Sequence, residues 1–592
     1  MRLRKLSIRN FKGIQRGEWS FDSNFVALVG PGDSTKTSIL DALGLVLTSR
    51  YNVTFTDADF YNCNPDSPIS IEAVVVDLPK SLIEDRAHGK NRSGIRSDGS
   101  LEHDPLEEDD VEECLIIRLT VDETLEPLWE IVRPGDEDGE RITAAQRAQL
   151  GFFRIGDYVD QHLRWGRASA LTELTSSRTH VTHAVVEAQR KARQALNLLT
   201  ESPLHDAAKL AQTEVKKLGS GPFQNLRPGL DPAFGAGSSA LLLHEGDIPL
   251  TQYGLGSRRL LGLSIQENAL SGQSIVAIDE VESGLDPHRL AHLVRYLKDR
   301  AAKGEMQVFF TTHSALVVES LKHDQLFVVR SRSGHTTVTR VPPELDAPST
   351  EVVQGLIRAR PSALLAQRVV VAEGATEVGL VKQLLWDWDS QCTELTDITS
   401  VTAGVAVTDG GGSDPAPKRA KALATLGYPT FLLIDGDVEA NRQLITDASQ
   451  AGVVVAQWPR GCALEDVVVD ALDPDGLQEF IDIAVSERSS ESVLASVSHH
   501  LGKQLKTLEV SEWFASHNKA EIKHAIALAA KGSKSNGKKE ESKAWFKRED
   551  RGAELGALLI RRFVLLTGED LLTGLDTLRA FAYSSTSSNA EA

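Results

Sequence analysis

The chain is poor in cysteine: Cys63, Cys114, Cys392 and Cys462 are the only four in 592 residues, and they have no metal-ligand spacing. That excludes a disulfide framework and a zinc cage, and predicts a reducing, cytoplasmic setting. No apolar run of about 18 residues occurs, so no membrane span is expected. The opening "MRLRKLSIRNFKGI" has basic residues without an apolar stretch behind them, and reads as a first strand, not a signal peptide. Positive charge is also short: 64 Lys and Arg stand against 83 Asp and Glu, a net charge of −19. This excludes a generic polyanion binder, so any contact with nucleic acid needs local basic surface.

What is present suggests roughly two to four domains. Strand-like "NFVALVG" feeds directly into helix-like "TKTSILDALGLVL", the context a phosphate-binding loop requires. The loop pattern G-x-x-x-x-G-K-[ST] is met by Gly30, Lys36 and Thr37, but Thr35 stands where the second glycine belongs. In such a loop backbone N–H groups and a helix N-terminus meet the phosphates. Gly30, Gly32, Lys36, Thr37 and Ser38 are the residues placed for that, with Lys36 bridging the outer phosphates and Thr37 on Mg²⁺. Downstream, "SIVAIDEVESGLDP" is an apolar strand ending in Asp279, to hold the metal's water shell, and Glu280, to polarise an attacking water. Asp286 closes that loop. "VFFTTHSALV" ends a strand at His313, where an imidazole can sense the terminal phosphate; a structural histidine is the bland alternative. "YGLGSRRLLGLSI" opens a helix with Gly256 and Ser257, the place of a signature loop that caps nucleotide on a partner subunit.

In this order the pieces resemble the ABC-type ATPases of the SMC/RecF group, whose usual first strand "LRKLSIRNFKGI" matches. The resemblance implies ATP with Mg²⁺ and composite sites between two subunits. Thr35 keeps its N–H but adds a Cβ near the phosphates, so binding with slow turnover is expected. The segment "FTDADFYN" (55–62) lies where a glutamine-bearing loop belongs and has no glutamine.

A second strand–helix alternation carries clustered acids. "QRVVVAEGATEVGLVKQLL" places Glu373 at a strand end and Glu377 in the first turn of a helix; "PTFLLIDGD" ends in Asp435 and Asp437; "WPRGCALEDVVVD" opens a helix with Glu465 and Asp466. Each alone reads as a charge at a helix N-terminus. Together they are hard oxygen ligands for Mg²⁺ or Mn²⁺, able to support phosphodiester hydrolysis. The glutamate turn, the glycine-rich "DGGGSDPAPKRAKAL" and the D-G-D pair resemble a Toprim domain over about 365–470. With seven tyrosines and no DNA-gate domain evident, hydrolysis is favoured over strand passage.

An SMC-like ATPase followed by Toprim resembles the OLD (overcoming lysogenisation defect) endonucleases, which include the Gabija phage-defence nuclease; "WFKREDRGAELGALL" adds to the likeness. By that resemblance Lys547 lies beside the scissile phosphate as a catalytic group, a surface lysine being the alternative. The basic stretch 531–551 reads as a phosphate-backbone track or as a solvated loop.

The expected architecture is α/β throughout: an ABC/SMC-like ATPase domain (1–355) with a helical dimerisation insert at about 140–220, a Toprim domain (356–475) and a mostly helical C-terminal extension (476–592). The insert reads equally as lid or core packing. The expected function is an ATP-regulated DNA endonuclease, forming a homodimer or larger homo-oligomer, in phage defence or DNA processing. Alternatives are a RecF-like DNA-binding repair ATPase with a non-catalytic Toprim domain, and a sensor ATPase working with an accessory defence protein.

Overall fold

The computed structural model describes the chain except residues 51, 85–87, 106, 107, 109, 157, 158, 166–168, 175–202, 220–222, 231–240, 270–273, 341–346, 393–397, 437–441, 533–543 and 585–592. It forms two compact units, Met1–Arg340 and Val341–Ala592.

The first unit is built on one large sheet with two sectors. In the parallel sector the strands lie in the order Phe152–Ile155, Ser274–Ile278, Met306–Thr311, Phe25–Val29, Leu326–Arg332. Their short runs, such as FVALV and SIVAI, are apolar at nearly every position because both faces are covered. The antiparallel sector is led by Arg2–Phe11, Ile14–Ser20, Ile69–Val76 and Val111–Val121. Helix Lys36–Val46 packs against strands of both sectors and buries Ile39, Leu40, Leu43 and Val46 among them. The Gln307 side chain ties the sectors by accepting from Leu3 N (2.7 Å) and donating to Leu3 O (3.0 Å).

The expected helical insert differs in its first part. Phe152–Ile155 is a strand of the parallel sector, bounded by Gly151 at φ 58° and by Gly156. A four-residue run between glycines, apolar except for Arg154, is too short for a buried helix and fits an edge of a sheet. Helix Pro203–Lys217 follows the expected pattern, and 175–202 lie outside the described residues.

The second unit has a four-stranded parallel sheet, ordered Val405–Asp409, Arg368–Ala372, Thr430–Ile434, Val454–Gln457. Helices from Pro474 to Tyr583 share one core with it: Phe431, Leu433 and Trp458 pack in the cluster that holds Phe480, Trp513, Phe546 and Leu575. Among the described residues, no helix is long and apolar enough to cross a membrane.

Candidate functional site

Each unit carries one group of chemistry-bearing residues. In the first, strand Phe25–Val29 runs into Gly30 at φ 146°, where an added Cβ would lie 2.4 Å from the Val329 carbonyl oxygen, so only glycine passes. Gly32 sits exposed on the loop, and Ser38 lies half-buried in the helix's first turn. The Lys36 ammonium folds back on the loop, donating to Gly30 O (3.1 Å), Pro31 O (2.6 Å) and Ser34 Oγ (3.1 Å). Burial pulls its pKa down to about 8, against the opposing pull of Asp279, Asp33, Glu280 and Glu282. Among the described residues its hydrogen bonds go to neutral oxygens, which phosphate oxygens can replace.

Thr37 donates to Asp279 Oδ1 at 3.3 Å, which brings together the two side chains expected to share Mg²⁺. Thr311, on the neighbouring strand, donates to the same oxygen (2.6 Å) and accepts from Glu280 N (2.7 Å). Arg154 bridges Asp279 (3.6 Å) and Asp41. A cavity of about 710 Å³ opens beside the pair, with Lys12, Arg50, Asp41 and Arg154 in its wall. His313 is exposed; its backbone N–H and the Thr312 hydroxyl both donate to Glu282, at 2.5 and 2.7 Å. Sequence reasoning missed Thr311, Arg154 and Glu282. Only Thr311 left a trace, a hydroxyl at the end of an apolar strand.

Gly256 opens helix Leu255–Ala269 and abuts the 283–286 loop; a Cβ on it would lie 2.0 Å from Gly284 O. Ser257 is buried, 3.5 Å from Arg289. Asp286 caps helix Pro287–Ala302 by accepting from Arg289 N (3.0 Å), and that bond holds its carboxyl below the usual range. Within one subunit, then, Ser257 and Asp286 have structural partners.

In the second unit, Glu373 and Asp435 follow adjacent parallel strands, at the carboxyl edge where α/β sheets place ligands. Glu373 Oε2 accepts from Asp435 N (2.8 Å), Glu377 Oε2 from Gly374 N (3.0 Å) and Asp435 Oδ1 from Leu464 N (3.0 Å). Gly436 allows this approach, since a Cβ there would lie 2.2 Å from Pro459 O. Glu377 and Glu465 are buried at 6% and 2% exposure. Burial and then the charge of Glu465 push the Glu377 carboxyl up to about 7. Lys547 stands among these acids. Its side chain is exposed to solvent; partial desolvation pulls its pKa down, but Glu465, Glu377, Asp435 and Glu373 outweigh that and the net shift is upward. Thr376 brings the lysine there by donating its hydroxyl to Phe546 O.

Asp466 faces elsewhere: it accepts from Ala463 N (2.7 Å) and pairs with Lys531 (2.5 Å), as a helix-cap acid. Asp437 lies outside the described residues. Among the described residues no three acids, histidines or cysteines form a ready metal cage. The donor set is nonetheless all carboxylate oxygen, with one buried acid that holds its charge only at a cost, and that chemistry fits a hard divalent cation.

Two family models match: "AAA ATPase domain" over residues 1–123 and "AAA domain, putative AbiEii toxin, Type IV TA system" over 234–319. An OLD nuclease of Thermus scotoductus is 24% identical over 466 residues, covering 74% of this chain and 82% of its own. Two solved Smc heads also align. One, from Pyrococcus furiosus with an extended coiled coil and bound to the C-terminal domain of ScpA, shares 15% identity over 60% of this chain and 99% of its own, at TM-score 0.37. The other, from Thermotoga maritima, shares 17% over 58% and 100%, at TM-score 0.28. The chain is accordingly similar in sequence to an OLD nuclease, and its N-terminal unit matches two AAA-type ATPase models.

Proposed function

We propose that the chain is an ATP-regulated, divalent-metal-dependent DNA endonuclease whose second unit is a Toprim domain. The observation that carries this is the convergence of Glu373, Glu377, Asp435 and Glu465 with Lys547 at one sheet edge. Glu373 and Asp435, with Asp437, would hold Mg²⁺ or Mn²⁺, which when bound supplies an activated water and charge neutralisation at the phosphodiester. Lys547 offers its ammonium to the charge that builds on the scissile phosphate. Glu377, whose carboxyl is raised by burial and by Glu465, can hold or release a proton at its carboxylate.

In the first unit Lys36 and the loop N–H groups would take the ATP phosphates, with Thr37 and Asp279 on Mg²⁺ and Glu280 and His313 about the terminal phosphate. Gly256 and Ser257 would reach a partner subunit's nucleotide in a homodimer, so that nucleotide state governs DNA access. The relative's name supports a nuclease, and a role in phage defence or DNA processing follows from the family resemblance alone.

Incubating supercoiled plasmid with the protein and Mg²⁺ or Mn²⁺, with and without ATP, tests this. Nicking by the native chain is expected, with loss in Glu373→Ala and in Asp435→Ala while ATP binding persists. Lys36→Ala should lose ATP binding. Metal-dependent nicking retained in both acid variants dismisses the acidic centre as catalytic. One observation favours a second reading, a DNA-binding ATPase with a non-cutting Toprim domain: no three-acid cage forms among the described residues. That reading requires ATP turnover and DNA binding without any nick.

A further inference from the structure

Thr35 adopts left-handed backbone, φ 65° and ψ 15°. Glycine takes this region freely, whereas a β-branched residue pays for it and stays only where its surroundings hold it. Two contacts hold it here. Its Oγ1 donates to Ser34 O (2.6 Å) and lies 2.9 Å from the Thr336 hydroxyl, which is itself 3.2 Å from Ser331 Oγ. Its methyl fills the space that Gly13 leaves, since a Cβ on Gly13 would lie 2.9 Å from Thr35 Cγ2. Thr336 is buried, at 4% exposure, on the strand His335–Arg340 that pairs with Leu326–Arg332, next to the phosphate-loop strand.

We propose that Thr35 and Thr336 form a hydroxyl brace that replaces the missing glycine, so that the hairpin 326–340 sets how tightly the phosphate loop holds a nucleoside triphosphate. The backbone N–H of residue 35 must face the phosphates in the same left-handed geometry whichever side chain it carries. Glycine reaches that geometry unaided. Threonine is kept in it from outside, by a bond to a residue some three hundred positions away in sequence and by a pocket with no side chain at Gly13. Thr35 and Thr336 are therefore positioning residues for the nucleotide, and the inference rests on the ATP-binding reading above.

The test is a titration of the full chain with a fluorescent ATP analogue and Mg²⁺, with thermal melts confirming that each variant is folded. Thr35→Val keeps the shape and loses the hydroxyl; it should weaken binding about fivefold, the weight of one hydrogen bond. Thr35→Ser, which restores the hydroxyl, should recover most of that loss, and Thr336→Val should match Thr35→Val. Gly13→Ala should also weaken binding, by pushing the threonine methyl. In a Thr35→Gly background, whatever its own affinity, neither Thr336→Val nor Gly13→Ala should change binding further. Wild-type affinity in Thr35→Val, or equal effects of Thr336→Val in both backgrounds, overturns the brace. If the native chain binds no triphosphate at all, the ATP reading fails and the brace with it.

Discussion

Glu377 shows what a single buried acid does to the second unit. Its carboxyl, 4.5 in an ordinary setting, is pushed up to about 7 by burial and then by Glu465. Between those values the folded chain holds a proton that the unfolded chain has released. Its contribution therefore favours the fold below about pH 4.5 and is lost as pH rises through about 7. Glu377→Gln keeps an oxygen for Gly374 N and removes the charge. In metal-free buffer it should raise Tm relative to the native chain at about pH 8 and leave it unchanged near pH 4.5; an equal gap at both pH values by scanning fluorimetry counts against a raised carboxyl. The positions of Glu373, Glu377, Asp435 and Glu465 could be read from sequence because each ends an apolar strand or opens a helix. Asp466, adjacent to Glu465, carries the same pattern and points to Lys531 instead; a one-residue step on a helix turns a side chain by about 100°. Thr311, Arg154 and Glu282 were hidden for another reason. Their meaning lies in partners on other strands and loops, and apart from the Thr311 hydroxyl at a strand end no local pattern marks them.

At the scale of elements, two helices set the acidic centre. Ala375–Ser390 and Glu549–Arg562 meet through facing glycines: a Cβ on Gly379 would lie 1.8 Å from Glu549 O, and one on Gly552 would lie 1.9 Å from Thr376 O. That close approach seats the 545–548 segment, and with it Lys547, beside Glu377. Gly552→Val should separate the pair, costing about 1–3 kcal/mol or more by urea denaturation. Under the proposed function it also lowers nicking while ATP binding is kept. Native stability in that variant would show that the helices do not depend on this contact. The apolar runs that end at the acids made the sheet legible. The helix pairing was not, because glycines in a helical pattern announce a close neighbour without naming it. The strand Phe152–Ile155 escaped for a similar reason: four residues are too few to show a period.

At the scale of the whole molecule, the sequence suggests an ATPase domain over 1–355 and a second α/β block from 356, and the structure divides between Arg340 and Val341. All residues around Lys36 and Asp279, and the Thr35–Thr336 contact, lie in the first unit. Residues 1–340 expressed alone should therefore melt cooperatively and bind the ATP analogue within about twofold of the full chain, a difference of under about 0.5 kcal/mol. Loss of binding in a folded fragment would show that the second unit completes the site. The parallel sector has one more consequence. Phe25–Val29 finds its two neighbours only in Met306–Thr311 and Leu326–Arg332, nearly the whole unit later in the chain. During synthesis the phosphate-loop strand therefore emerges early with both edges bare and waits for about three hundred residues of translation, roughly 15–60 s at ribosomal speed. Through that interval it is a natural client for holding chaperones, and slow codons near its late partners would prolong its exposure.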